Sequence, residues 1–450
     1  MTVRRMPCGR WRFAGALLLG LVAAVPAQAH GRIEPVSIAT DGRAADYHAA
    51  TPALSADGRF VAFATGARNL GGSLGNDWNV YVHDRRLGRT SLVSVGRGGV
   101  TQDGWSGEPS ISADGRFVAF ASSSTNLVAG DRNRKIDVFV RDLRRGTTRL
   151  ASLGPGGRPA NWSSEHPVLS GDGRYLAFYS GATNLVPRDR NEKVDVFVHD
   201  LESGRTELAS VATGGAQGDD ASGYADEGLA ISRDGRFVAF ASGATNLVAG
   251  DRNGVVDVFL RDRRRGTTEL ISVATGGRQG NGSSGYLAMG LAVSPDGRFV
   301  GFASFASNLV RDDTNGGTDL FLRDRRRRTT ARVSVASDGS QADGGSGNAD
   351  TSLGLSDDGR FVAFSSTATN LAPRDTGAWT DVFLHDRRSG RTIRVSEGRG
   401  GVPGNGESRQ PVLSADGRTV AFLSGATNLL PGRPTAAVPW DQVLVRAPLW

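Results

Sequence analysis

Four segments of the chain share the pattern Asp-x-Asn-x-x-x-Asp: Asp131, Asn133 and Asp137; Asp189, Asn191 and Asp195; Asp251, Asn253 and Asp257; Asp313, Asn315 and Asp319. Oxygen ligands at the first, third and seventh positions are part of what a calcium loop provides. A complete loop adds an oxygen at the fifth position and a bidentate acid at the twelfth. In the first copy the twelfth residue is Asp142, which falls at the far end of the next strand. Asp and Asn also shape loops by bonding their own backbone. Two readings stay open: a structural calcium ion in these loops, or self-bonded loops with no cofactor.

Catalysis needs a converging nucleophile, base and charge-stabilising group. Histidine is scarce, with six in the chain. His83, His199 and His385 share one repeat position that Arg141, Arg261 and Arg323 take elsewhere; the interchange predicts surface strand ends. Apart from His30, the expected first residue of the mature chain, His48 and His166 remain. With Glu165, or with Asp226 and Glu227, they offer the acid–base pair of a polysaccharide lyase or glycosidase. Gly71-Gly72-Ser73-Leu74-Gly75 matches a nucleophile elbow by letters, yet it lies in a Gly-rich loop and not at a strand-to-helix turn. No catalytic residue is assigned.

Binding is the stronger chemical theme. Trp78, Trp105, Trp162, Trp379 and Trp440, with Tyr47, Tyr224 and Tyr286, fall in polar loops rich in Asn and Asp. Such rings offer large contact area at little rotamer cost. They suit a platform for a sugar or a peptide; the competing role is to plug gaps in the scaffold.

The elements that must position these residues come from a repeat. Asp-Gly-Arg followed by an apolar run recurs at Asp57, Asp114, Asp172, Asp234, Asp296, Asp358 and Asp416. Each unit continues through a loop, a segment such as Asp137 to Asp142, and a turn into a further strand such as Thr147 to Leu153. That is four short strands per unit, with Asp-Gly supplying the hairpin turn. The seventh unit stops after its third strand, near Gln442 to Arg446, while Ile33 to Ile38 reads as a fourth strand with no blade before it. One orphan at each end completes one blade. The chain is therefore expected to be all-β: a seven-bladed β-propeller of four-stranded antiparallel blades, the N-terminal strand closing the last blade and removing a free edge. An open solenoid is the alternative.

The motif Ser-x-Asp-Gly-Arg followed by Phe-Val-Ala-Phe, as in Ser112 to Phe120, resembles the repeats of TolB-like propellers, a family related in shape to WD-repeat proteins. The resemblance spans nearly all of residues 30–450 and implies the fold. The Trp-Asp signature of true WD repeats is replaced by His83-Asp84, Arg141-Asp142 or Arg261-Asp262. TolB itself has six blades and an added N-terminal domain, so its role beside a peptidoglycan-associated lipoprotein is not carried over.

Ahead of the repeats stands a leader. Arg4, Arg5, Arg10 and Arg12 precede an apolar run from Phe13 to Ala24, and Ala27-Gln28-Ala29 is a small-x-small cleavage signal. Residues 1–29 thus read as a cleaved signal peptide and residues 30–450 as one propeller, outside the cytoplasm: secreted, periplasmic or at the cell surface. Cleavage leaves 49 basic against 46 acidic residues, a net charge of +3, and removes Cys8, the only cysteine. That charge argues against nucleic acid, and no membrane span is expected after cleavage.

Topology sorts the loops. Connections from fourth to first and from second to third strand share one face, here the top, with the aromatics. The hairpins share the bottom, where arginine runs begin at Arg85, Arg144, Arg263, Arg325 and Arg387 and predict either a basic docking face or local ion pairs. The expected function is a monomeric, non-catalytic scaffold binding a protein or cell-envelope glycan through the top loops. The alternatives are a polysaccharide lyase or glycosidase at the channel mouth, and a secreted structural protein with no specific ligand.

Overall fold

The structure, a computed structural model, describes residues 2, 31–71, 77–223, 228–285, 290–347, 353–375, 379–430 and 441–449. The leader, the nucleophile-elbow look-alike, Tyr224, Asp226, Glu227, Tyr286 and Trp440 lie outside the described residues.

Each repeat makes one antiparallel blade. In blade 2 the strands are Ser106–Ile111, Phe117–Ser122, Asp137–Asp142 and Thr147–Leu150, paired in chain order. Seven such sheets form the ring. Blade 7 combines Ser408–Leu413, Val420–Ser424 and Gln442–Ala447 with the N-terminal strand Arg32–Pro35, whose Arg32 lies opposite Ala447. Both orphan strands meet, so the ring is closed and not a solenoid. The N-terminal pairing ends at Pro35, and Val36 and Ser37 continue it with main-chain and side-chain bonds to Val443 and Gln442.

The repeat motif does several jobs in one turn. In Ser112-Ala113-Asp114-Gly115-Arg116, the Ser112 hydroxyl donates to Asp114 (2.6 Å) and accepts from the Phe117 N–H (2.9 Å). Gly115 sits at φ 70°, and a Cβ there would lie 2.1 Å from the ring of Phe60 in the preceding blade. Glycine is thus required by backbone and by packing. Arg116 reaches Asp142 at the end of the third strand (2.7 Å) with its guanidinium over the Phe117 ring. The same ring-on-glycine contact recurs at Gly173, Gly235, Gly297, Gly359 and Gly417, whereas Gly58 meets Thr419.

Second and third strands are buried on both faces, as stacked blades demand. Directly opposed rings stack across them, as in Phe120–Phe139 (5.8 Å) and Phe178–Phe197 (5.9 Å). Each such buried side chain contributes about 1.5–3 kcal/mol.

One expectation is corrected. His83, His199 and His385 are not surface strand ends: they are 4%, 4% and 6% exposed. Each bonds the hydroxyl of Thr90, Thr206 or Thr392 through Nδ1 (2.9 Å), and that hydroxyl donates to a carbonyl of the preceding blade. Arg261 and Arg323 fit the same seam because their guanidinium groups reach both the threonine and the neighbouring carbonyl.

Candidate binding face at the channel mouth

The first strands are innermost, since successive ones touch round the ring. They come in two forms. Blades 7, 1, 2 and 3 carry six-residue first strands, each with a bulge. At the bulges Gln410, Thr51, Glu108 and His166 take left-handed φ values of 52°, 48°, 53° and 54°. Non-glycine residues, above all a β-branched threonine, enter this region at a cost. Some of the bulges are linked from blade to blade: the Thr51 N–H donates to Gln410 Oε1 (3.0 Å) and the His166 N–H to Glu108 Oε2 (2.8 Å). In blades 4, 5 and 6 the first strands shrink to Leu229–Ile231, Ala292–Val293 and Gly354–Leu355.

The two histidines left open by the sequence both sit beside carboxylates. His166 Nδ1 lies 3.6 Å from Glu108 Oε2. His48 Nδ1 lies 3.9 Å from Asp441, which is already held by Arg409 at 2.6 Å. The Asp441 N–H donates to His48 Nδ1 at 3.3 Å, so that nitrogen is an acceptor. Both carboxylate distances exceed the reach of about 3.2 Å for direct proton transfer. Glu108, Arg409 and Asp441 were not singled out in the sequence, because only the fold brings them to the histidines.

The aromatic residues are spread around the top. Tyr47 and Trp78 meet edge to face at 6.2 Å. Trp105 folds over Gly107, where a Cβ would lie 2.3 Å from the indole. Trp162 is 58% exposed with the Lys135 ammonium 4.5 Å above its ring. Trp379 is exposed on blade 6, and so is Phe305 on blade 5. Phe305 was missed because the matching residue is small elsewhere: Gly66, Ser123, Gly181, Gly243, Thr367 or Gly425.

The Asp-x-Asn loops are compact and self-bonded. Asn133 Nδ2 donates to Asp137 Oδ2 (2.6 Å) and to the Ala160 carbonyl of the following loop (2.9 Å), and the Ser152 hydroxyl donates to Asp137 Oδ1 (2.5 Å). Asp195, Asp257 and Asp319 receive the matching serines, Ser210, Ser272 and Ser334. Burial pushes the carboxyls of Asp137, Asp195 and Asp257 up to about 6. In blades 3 and 4 an amide bridges the outer and inner acids: Gln217 Nε2 donates to Asp189 and Asp195 at 2.8 and 2.9 Å, and Gln279 Nε2 to Asp251 and Asp257 at 2.7 and 2.9 Å. In blade 5 Arg332 stands 3.4 Å from Asp313 and 3.1 Å from Asp319, beside Asn315. Among the described residues no group of three or more His, Cys, Asp or Glu is placed to hold a metal ion.

The bottom face resolves largely into ion pairs. Arg59, Arg116, Arg174, Arg236, Arg298 and Arg360 pair with the Asp ending their own blade's third strand at 2.6–2.8 Å. Arg85, Arg263 and Arg325 cross to Glu34, Glu207 and Glu269 of the preceding blade. These arginines staple blades together.

No family model and no curated protein matches the chain in sequence. Solved structures match it in fold. An oligogalacturonate lyase in complex with manganese aligns with a TM-score of 0.51 and 13% identity, over 93% of this chain and 98% of that one. A prolyl endopeptidase aligns at 0.52 and 12%, over 90% of this chain but 51% of its own length. TolB from Acinetobacter baumannii aligns at 0.38 and 12%, over 70% of this chain and 59% of TolB. The shared feature is the propeller. No helix among the described residues is long and apolar enough to cross a membrane.

Proposed function

We propose that residues 30–450 act outside the cytoplasm as a monomeric, non-catalytic propeller that binds a cell-envelope glycan or a protein through its top loops. One observation carries this reading. The four exposed aromatics among the described residues, Tyr47, Trp162, Phe305 and Trp379, are 43–58% exposed, and all lie in top-face loops. Exposed rings on a rigid scaffold are the expected material of a binding surface. The leader at 1–29 supports export, and the ion-paired arginines make the bottom the less suitable face.

The test is binding of the mature protein to isolated envelope polysaccharide and, separately, to envelope proteins. A Trp162→Ala/Trp379→Ala variant should lose about tenfold or more in affinity. Leu87→Ala, in a bottom hairpin, should lose none. Equal binding by all three proteins would remove the top face from consideration.

A second reading rests on Glu108 and His166 flanking the channel: a lyase or glycosidase acting at its mouth. Product that is shortened or unsaturated with wild type, and intact with His166→Gln, would establish it.

A further inference from the structure

The inner acid at the start of the third strand, Asp137, Asp195, Asp257, Asp319 or Asp381, lies near an outer acid from the preceding loop in each of blades 2 to 6. Blades 3 and 4 place a glutamine amide between the two, and blade 5 a guanidinium, as described above. Blade 6 uses Arg394, which is wholly buried, 2.9 Å from Asp375 and 3.3 Å from Asp381. Blade 2 differs. The chain position of Gln217 and Gln279, fixed by the asparagine that bonds its carbonyl, is there occupied by Pro159, which has no side-chain donor. The position of Arg332 and Arg394, opposite Phe321 and Phe383 of the third strand, is there taken by Leu150, opposite Phe139, which has no donor either.

The consequence falls on Asp131. It is 8% exposed, and its Oδ1 is buried without a hydrogen-bond partner. The corresponding oxygens of Asp189 and Asp251 are the ones that accept the glutamine amide. The Asn133 main-chain N–H steadies the Asp131 carboxylate, and the nearby charge of Asp103 adds to the negative potential. Two buried carboxylates with no donor bridging them, Asp137 Oδ2 accepting only the Asn133 amide, call for a positive charge or a proton.

We infer that blade 2 binds a small hard cation, of the Ca2+ class, between Asp131 and Asp137, in the place that sister blades fill with an amide or a guanidinium. Asp131 Oδ1 and Asp137 Oδ2 are its anionic ligands, and water completes a shell that two carboxylates leave open. The site is separate from the aromatic platform. It pins the loop between the second and third strands of blade 2, which also carries Lys135, stacked on the exposed ring of Trp162.

The test uses the mature protein, calcium chloride alone and calorimetric titration, with thermal unfolding in parallel. Wild type is expected to bind one Ca2+ per chain and to rise in Tm with millimolar Ca2+. Asp131→Asn should abolish both effects. Pro159→Gln recreates the bridge of blades 3 and 4: it should raise the metal-free Tm and lose the response to Ca2+. That gain also separates lost binding from a damaged fold. Wild type with no heat of binding and no shift in Tm would overturn the inference in favour of a shared proton. A stoichiometry near four would overturn its restriction to blade 2, and a Pro159→Gln variant that still bound Ca2+ would overturn the proposed place.

Discussion

The two arcs of the ring solve the same inner-wall problem differently. In blades 7, 1, 2 and 3 the first strand is complete and bulged, with a strained backbone at each bulge and side-chain links between blades 7 and 1 and between blades 2 and 3. In blades 4, 5 and 6 it is cut to two or three residues, and the chain between repeat turns lengthens from 57 or 58 residues to 62. The outer strands and bottom turns hardly differ between the arcs. The scaffold is thus constant where blades must stack and variable where a partner can reach, the usual division between framework and loops. The bottom shows the same division on a small scale. Main-chain bonds join the turns from Asp357 through Ala415, Ala56 and Ala113 to Gly171, and Asp172 continues to Arg233. Pro295, in the turn of blade 5, has no N–H to continue the series, and Arg233 spans that turn to Asp357 at 3.2 Å.

Four substitutions would break or sharpen this contrast. Arg394→Met has the largest expected effect. It leaves Asp375 and Asp381 buried without their cation, and a loss of about 3–5 kcal/mol in urea unfolding is expected. A loss below about 1 kcal/mol would show that the charge in blade 6 is not structural.

Next come the seam histidines. Burial holds His199 and His385 near 4, against 6.5 for a free side chain. Between these values the unfolded chain binds more protons, so each histidine weakens the fold as pH falls through that window. Asp137, Asp195, Asp257 and Asp381, raised to about 6, act the other way: the folded chain holds their protons, and their contribution is lost as pH rises through 6. A comparison with His199→Gln/His385→Gln cancels the aspartates. The variant should gain on wild type by about 2 kcal/mol per site between pH 7 and about pH 4.5. Parallel pH profiles for the two proteins would contradict the buried seam.

Thr51→Gly probes the bulged arc. Thr51 combines a left-handed φ with a buried hydroxyl that has no hydrogen-bond partner. Glycine should therefore raise stability by about 1 kcal/mol in the same assay. If stability rises while binding falls, the strain serves the mouth; if stability falls, packing outweighs it. Smallest is Arg233→Ala, where both partners are about half exposed and the expected loss is below about 1 kcal/mol.

Much of the scaffold was legible because a local signal repeated. Asp-Gly before an apolar run marks a hairpin entering a buried strand, and the two orphan strands could be matched by elimination. The seam histidines were misread because arginine alternates with histidine there; arginine is long enough to bury its stem while its head finds a carbonyl in the preceding blade. The bulges had a signal that was passed over: Thr51, Glu108, His166 and Gln410 each stand directly before a proline, Pro52, Pro109, Pro167 and Pro411. The contrast between blade 2 and its neighbours also escaped notice, because Gln217 and Gln279 stand 22 residues beyond the acids they bridge, Asp195 and Asp257.

The pairing of Arg32–Pro35 with Gln442–Ala447 has a consequence for the order of assembly. The last blade joins strands some 400 residues apart, as the bond from Ser37 to Gln442 also shows. Such a closure cannot form until residues 442–447 have been made, and long loop closure slows folding. Six blades can assemble in chain order, but the ring waits for its final strand. Until then the edges of blades 1 and 6 that will face blade 7 stay uncovered, and that is the interval in which the chain is most open to a chaperone, a protease or a second copy of itself.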